Sequence, residues 1–119
     1  MFFGKTILQL QNKEYCEIKN IKVGDKLYDG TQVLGKLELF NKNNEKLYKI
    51  KADKQEIFVT GDHFVLNKKS NKYVKVKHFD KSEETNIIED KYYNLITDNH
   101  TIPIENYLFW DWEDDVLTK

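Results

Sequence analysis

The sequence predicts an all-β domain. Short apolar runs recur along the chain, several of them alternating with polar residues as a half-buried strand does. Turn-forming residues separate these runs, and almost no stretch has the period of an amphipathic helix. Aromatic residues make up 13% of the chain, which suits a β-rich core. Many short strands with frequent turns favour a sheet closed on itself as a single domain, because closure hides the strand edges.

The turns define the strands. Asp29-Gly30 is the strongest hairpin signal, since both residues tolerate positive φ, and Gly24 marks a second turn. Beyond the first hairpin, alternating apolar residues predict one long strand. In chain order, the predicted strands are Thr6–Leu10, Tyr15–Ile18, Lys26–Tyr28, Thr31–Leu34 continuing to Leu39, Leu47–Ile50, Glu56–Thr60, His63–Leu66, Tyr73–Val76, Tyr92–Thr97, Thr101–Ile104 and Tyr107–Trp112.

Two segments lack this strand pattern. Asp80–Asp90 is charged and has no apolar period, which predicts a surface loop with a helical turn at Ser82–Thr85. The acidic residues 113–119 are predicted to form an exposed tail. No composition shift divides the 119 residues, so we expect one domain over 1–119, with a core of ordinary size.

Composition excludes several classes of function. Acidic and basic residues nearly cancel to a net charge of −1, and the chain has no arginine, which argues against nucleic acid or a membrane surface as the partner. Its apolar runs are far shorter than the ~20 residues of a membrane span. The single cysteine, Cys16, cannot form an internal disulfide or build a cysteine-based zinc site. A lone thiol fits a reducing intracellular compartment. We predict no metal, no cofactor and a monomeric state.

The candidate chemistry starts at Thr60-Gly61-Asp62-His63, directly after the apolar run Ile57-Phe58-Val59. A hydroxyl and an imidazole at the end of one strand can hold and protonate a peptide bond. Taken alone, the pattern is also typical of a strand-end threonine beside a half-buried histidine. Its context decides between the two interpretations.

Four segments together resemble the Hint family, the autoprocessing domains of inteins and hedgehog proteins. They follow the family's order and rough spacing over nearly the whole chain, and they are Phe2-Phe3-Gly4-Lys5-Thr6, Ile21-Lys22-Val23-Gly24-Asp25, Val59-Thr60-Gly61-Asp62-His63 and Tyr93-Asn94-Leu95-Ile96-Thr97-Asp98-Asn99-His100. The resemblance implies a horseshoe of many short antiparallel strands with its two ends close together. It also implies cleavage at the chain's own N-terminal junction.

In that family a first-position cysteine attacks the carbonyl of the preceding residue, and an N-to-S acyl shift converts the amide into a thioester. The resemblance implies that His63 protonates the departing nitrogen and that Thr60 orients the same peptide. Asp62 would be a local charge on His63, although a turn residue fits equally well. His100 would assist later steps with Asp98 as a proton acceptor beside it, but Asp98-Asn99 is also an ordinary turn.

The chain departs from the family pattern at its first residue. Met1 stands where the nucleophilic cysteine is expected, and a thioether cannot form a thioester. Either the cysteine was replaced when the fragment was made, with methionine as the initiator, or the natural domain has lost this step. The retained Thr60 and His63 favour the first explanation. Cys16 lies in a predicted strand, where packing is its expected role.

The second departure lies near the end of the chain. Inteins close with His-Asn before Cys, Ser or Thr, whereas this chain has Trp110-Asp111-Trp112. A carboxylate at Asp111 is a poor substitute for the cyclising carboxamide, so complete splicing is not expected. The predicted function is therefore self-processing: the domain cleaves or transfers an upstream segment through a thioester, and water or a small nucleophile accepts the acyl group. With Met1 in place of cysteine, the chain as written is predicted to be inactive. The alternative is a non-catalytic β-rich module that kept the fold.

Overall fold

The computed structural model describes the backbone of residues 1–117 and the side chains of residues 1–114. Within that range the chain is built from eleven strands, two short 3₁₀ helices (Ile18–Asn20 and Val76–His78) and one short C-terminal α-helix. The strands are β1 (Ile7–Gln9), β2 (Tyr15–Glu17), β3 (Val33–Phe40), β4 (Leu47–Lys51), β5 (Glu56–Thr60), β6 (Phe64–Asn67), β7 (Lys72–Lys75), β8 (Ser82–Glu84), β9 (Lys91–Thr97), β10 (Thr101–Ile104) and β11 (Tyr107–Trp110), and the helix is α1 (Trp112–Leu117). The all-β prediction is confirmed.

All named strand pairs are antiparallel. β3 pairs with β9 along most of its length, with a register shift between Val33 and Gly35. β4 lies between β5 and β8. A third sheet has the order β10-β11-β6-β7, and β1 pairs with β2. The predicted turn at Asp29-Gly30 is present, with Gly30 at φ +90° and its N–H donating to the carbonyl of Leu27, whereas Asp29 does not adopt positive φ. The predicted strand Lys26–Tyr28 is not formed, and only Lys26 and Leu27 of this segment make isolated bridges.

The first residues of the chain join two of these sheets. Phe2 forms an isolated bridge to Val59 in β5 and another to Tyr93 in β9. Phe2 and Tyr93 exchange both backbone hydrogen bonds, at 2.7 and 2.8 Å. On the other side, the N–H of Thr60 donates to the carbonyl of Met1 at 2.9 Å. The start of the chain therefore lies as a third strand between β5 and β9.

One core connects all the sheets. Its buried apolar side chains come from nearly every strand, and burial of such groups is the main stabilising contribution to the fold. Fully buried members include Phe2, Leu8, Ile18, Leu27, Ile50, Ile57, Val59, Val65, Leu95, Ile102 and Phe109. Phe2 and Phe109 pack edge to face, with ring centroids 5.1 Å apart. This contact ties the first strand segment to the last strand.

Two predictions for the polar segments are wrong in part. Ser82–Glu84 is strand β8, not a helical turn in a loop, because Ser82, Glu83 and Glu84 pair with β4. Edge pairing on an existing strand needs no apolar period, so the sequence carries no signal for it. From Glu113 the chain continues in α1, where an exposed tail is predicted, and Glu113 and Asp114 are only partly exposed. Residues 118 and 119 of that tail lie outside the described range.

Within residues 1–117, no helix has the length and apolar character that a membrane crossing requires.

Candidate functional site

Thr60 ends β5 directly against the first residue of the chain. Its side chain is buried, with 3% relative exposure. Its backbone N–H donates to the Met1 carbonyl, and its hydroxyl oxygen Oγ1 lies 2.9 Å from the Met1 backbone nitrogen. Thr60 therefore holds both ends of the Met1 backbone. The position of Thr60 in the site follows directly from the point at which β5 ends, which is also where the apolar run of the sequence ends.

His63 reaches the same nitrogen from the turn that follows β5. Its N–H bonds back to the Thr60 carbonyl, and this turn brings the ring over Met1. Nδ1 of the fully buried imidazole lies 2.6 Å from the Met1 nitrogen, and Nε2 lies 2.7 Å from the carbonyl oxygen of Trp110. Since a carbonyl can only accept, Nε2 carries the proton in the neutral ring. Nδ1 then presents its lone pair to the Met1 nitrogen.

Aromatic rings enclose this imidazole. The ring centroid of His63 lies 4.7 Å from that of Phe2 and 5.9 Å from that of Phe109. Both phenylalanines are fully buried. Water is thus largely kept from this side of the site, and electrostatic interactions there are stronger than at the surface.

Gly61 and Asp62, the two residues between Thr60 and His63, shape the turn that carries His63. A Cβ on Gly61 would lie 2.6 Å from the ring of Tyr48, so the turn has no room for a side chain at this position. The carboxylate of Asp62 lies 2.9 Å from Nζ of Lys77 and 3.6 Å from Nζ of Lys75. These contacts link the turn to the chain after β6, and they suit the turn interpretation of Asp62.

His100 and Asp111 form a second group near the end of β11. Nδ1 of His100 lies 3.3 Å from Oδ2 of the fully buried Asp111. The Asp111 carboxylate also accepts the N–H of Thr97 at 3.0 Å and that of Asp114 at 3.1 Å. Asp98 lies elsewhere: its carboxylate accepts the N–H of Gln32 at 3.0 Å. The carboxylate beside His100 is therefore Asp111, and Asp98 is a turn residue.

One group of side chains has the composition of a metal site. One ligand atom each from His100, Asp111 and Asp114 lies within 4.8 Å of the others. His63 does not belong to this group among the described residues. Both nitrogens of His63 are instead within hydrogen-bond distance of backbone atoms.

Cys16 lies in β2, paired with Leu8, as the packing role predicts. Its thiol donates to the Glu17 carbonyl at 3.4 Å. Burial, with the carboxylates of Asp25 and Glu17 as smaller causes, raises the pKa of this thiol above its usual value. A thiol with a raised pKa is a poor nucleophile at neutral pH.

The sequence prediction gives no role to two further groups beside the residues above. The Trp110 carbonyl is a backbone acceptor, for which no sequence signal exists. Asn94 is a fully buried polar residue of β9. A signal for it does exist: an amide interrupts the apolar run Tyr92–Ile96 at a position that faces inward.

Solved structures, alone among the comparisons with known proteins, bear on the fold. Neither a protein-family model nor a curated protein matches the chain. Among solved structures, the gp41-1 intein is similar with a TM-score of 0.70 and 20% identity, covering 92% of this chain and 97% of the intein. The MchDnaB-1 intein is similar with a TM-score of 0.70 and 11% identity, covering 93% and 100%. The chain therefore has an intein-like fold.

Proposed function

We propose that the chain is an autoprocessing domain that cleaves the peptide bond before residue 1 when residue 1 is a cysteine. The observation that carries this proposal is the convergence on the Met1 nitrogen of the Thr60 hydroxyl at 2.9 Å and the His63 imidazole at 2.6 Å. In the structure this nitrogen is a terminal amine that donates to both groups, and it stands where the leaving nitrogen of an acyl shift would be. An amide nitrogen leaves only if it is protonated, and His63 is within reach to do so.

The proposed acyl shift forms one bond to the carbonyl carbon and breaks another. The sulfur of a cysteine at position 1 bonds to the carbonyl carbon of the residue before it. The carbon–nitrogen bond then breaks, and the proton lost by the thiol reaches the nitrogen through His63. The products are a thioester and a free amine on residue 1. Water or a small nucleophile then takes the acyl group, so the substrate is the chain's own upstream polypeptide.

The Trp110 carbonyl supports the acid role of His63. By accepting from Nε2 at 2.7 Å, it stabilises the doubly protonated ring, whose Nδ1–H points at the leaving nitrogen. Thr60 limits the motion of that nitrogen. The rate gain from such positioning depends on the reacting atoms already being close to their transition-state geometry.

The chain as written lacks the nucleophile. The thioether of Met1 has no proton to lose, and the raised pKa of the Cys16 thiol argues against a substitute. The methionine at position 1 also supports a second candidate function, a non-catalytic module with the same fold. Restoring cysteine separates the two candidates.

The C-terminal side of the site supports cleavage without ligation. The Asp111 side chain offers no amide nitrogen for cyclisation, and both of its oxygens accept backbone N–H groups. Trp112 has no side-chain group that could accept an acyl chain. We therefore propose that processing ends with release or transfer of the upstream segment.

The decisive experiment is M1C with a short reporter peptide fused upstream. We expect the folded protein to release the reporter, and dithiothreitol to accelerate the release by attacking the thioester. M1A with the same reporter is the matched control, and C16S in the M1C background removes the other thiol. A folded M1C protein without thiol-dependent release would contradict the proposal and favour the structural module.

Splicing is tested separately. We would place distinct peptides on both sides of the M1C domain and analyse the products by mass spectrometry. The expected products are the free upstream peptide and the domain with its downstream peptide still attached. A ligated product joining both peptides would overturn the interpretation of Asp111.

A further inference from the structure

The amide of Asn94 is the most unusual buried group near the proposed junction. Its side chain is fully buried in β9, and its Nδ2 has no hydrogen-bond partner among the described residues. Its Oδ1 accepts the N–H of Leu95 at 3.0 Å. Exchanging the two amide atoms would set an NH₂ group against that N–H, so the assignment is fixed. Two N–H hydrogens of Asn94 are therefore buried and unused.

Strand register locates this amide opposite residue 1. Phe2 and Tyr93 exchange both backbone hydrogen bonds, so they are a hydrogen-bonded antiparallel pair. The next pair along this ladder is Met1 with Asn94. Such non-hydrogen-bonded partners have Cα atoms about 4.5 Å apart, and their side chains lie on the same face.

Thr60 lies on the other flank of residue 1. Phe2 bridges Val59 in β5, which makes Thr60 the neighbour of Met1 on that side. By the same alternation, Thr60, Met1 and Asn94 share one face of the three-strand arrangement. Thr60 and His63 reach the nitrogen of residue 1 from the β5 side. The Asn94 amide flanks the same residue from the β9 side.

We infer that Asn94 is the oxyanion donor of the site, its Nδ2–H donating to the carbonyl oxygen of the residue before position 1. This inference rests on the proposed function and adds to it a catalytic residue. A buried donor without a partner carries a desolvation penalty, so it requires an explanation. A ligand oxygen that gains negative charge supplies one.

The chemistry matches this role. When the sulfur–carbon bond forms, the carbonyl oxygen becomes an anion, and when the carbon–nitrogen bond breaks it becomes a carbonyl again. Asn94 gives up no proton in either step. A hydrogen bond to the charged oxygen is stronger than one to the neutral carbonyl, so the donor lowers the barrier and not only the energy of the bound substrate.

The test uses the M1C protein with its upstream reporter, and two substitutions of Asn94. N94L fills a similar volume without a donor, and we expect release of the reporter to slow about 10²-fold or more.

N94D keeps the acceptor for Leu95. A buried carboxyl has a raised pKa and donates only while protonated, so N94D should lose activity as pH rises. The parent M1C protein should lack this loss. N41L is the matched control, because Asn41 bonds the backbone of a loop beyond β3 and does not face residue 1.

The outcomes separate the two proposals. If M1C itself releases no reporter, the proposed function fails. If M1C is active and folded N94L releases reporter at the same rate, Asn94 is not the oxyanion donor. If N94L does not fold, the pH profile of N94D decides: a profile parallel to that of M1C overturns the inference, and a loss of N94D activity with rising pH that M1C does not show supports it.

Discussion

Replacing His63 with alanine is the most direct test of the site geometry, because it needs no upstream segment. The substitution removes the acceptor and donor contacts at 2.6 and 2.7 Å, and leaves the Trp110 carbonyl, in a partly buried position, without this partner. An unsatisfied buried carbonyl costs roughly 2 kcal/mol. Loss of the ring packed on Phe2 and Phe109 adds about 1 kcal/mol, giving about 3 kcal/mol in total.

The assay is urea unfolding followed by tryptophan fluorescence. With a slope of about 1.5 kcal/mol per M, the expected loss shifts the midpoint down by roughly 2 M. His78 provides the matched control, since its side chain is exposed and H78A should leave the midpoint nearly unchanged. A midpoint for H63A within about 0.5 M of the parent value would refute the buried bridge between Met1 and Trp110.

Three further predictions use the same protein. G61A should lower the melting temperature by about 8 °C, because the added Cβ meets the Tyr48 ring at 2.6 Å and overpacking of this kind costs about 2 kcal/mol; an unchanged melting temperature would mean that the turn has room to adjust. D111A should lower it by about 12 °C, since the buried carboxylate accepts two backbone N–H groups, including that of Thr97, and their loss costs about 3 kcal/mol. Alkylation of Cys16 by iodoacetamide should have its pH midpoint higher in the folded chain than in urea, because burial raises the thiol pKa; the matching stabilisation is complete below the unfolded pKa and is lost as pH rises through the folded one. Equal midpoints in the two states would contradict that.

Much of the strand pattern is readable from local sequence. Turn residues and apolar alternation locate β3, β4, β5 and β9 to within one or two residues, because each depends on its own turn chemistry and its own buried face. β8 is not readable in this way. Ser82–Glu84 is polar and partly exposed, and it is a strand only because the edge of β4 offers it backbone partners.

The site residues also differ in whether local sequence predicts their placement. Thr60 and His63 can be nominated from the sequence only together with their context, because an alcohol and an imidazole after a buried strand are common on their own. The placement of Asp98 beside His100 does not follow, because turn residues direct their side chains by local backbone geometry. Asp111, eleven positions after His100, takes that place through the β10–β11 hairpin.

The sequence by itself determined that this is a β domain with a threonine and a histidine available at one strand end, and with no nucleophile at its first residue. Only the tertiary structure decided what those side chains face. Met1, Trp110 and Asn94 come from distant parts of the chain. The register of β9 and the path of β11 through the sheet place them around the same site. Register and long-range pairing are properties of the whole packed fold, whereas alternation and turn chemistry are properties of a few neighbouring residues.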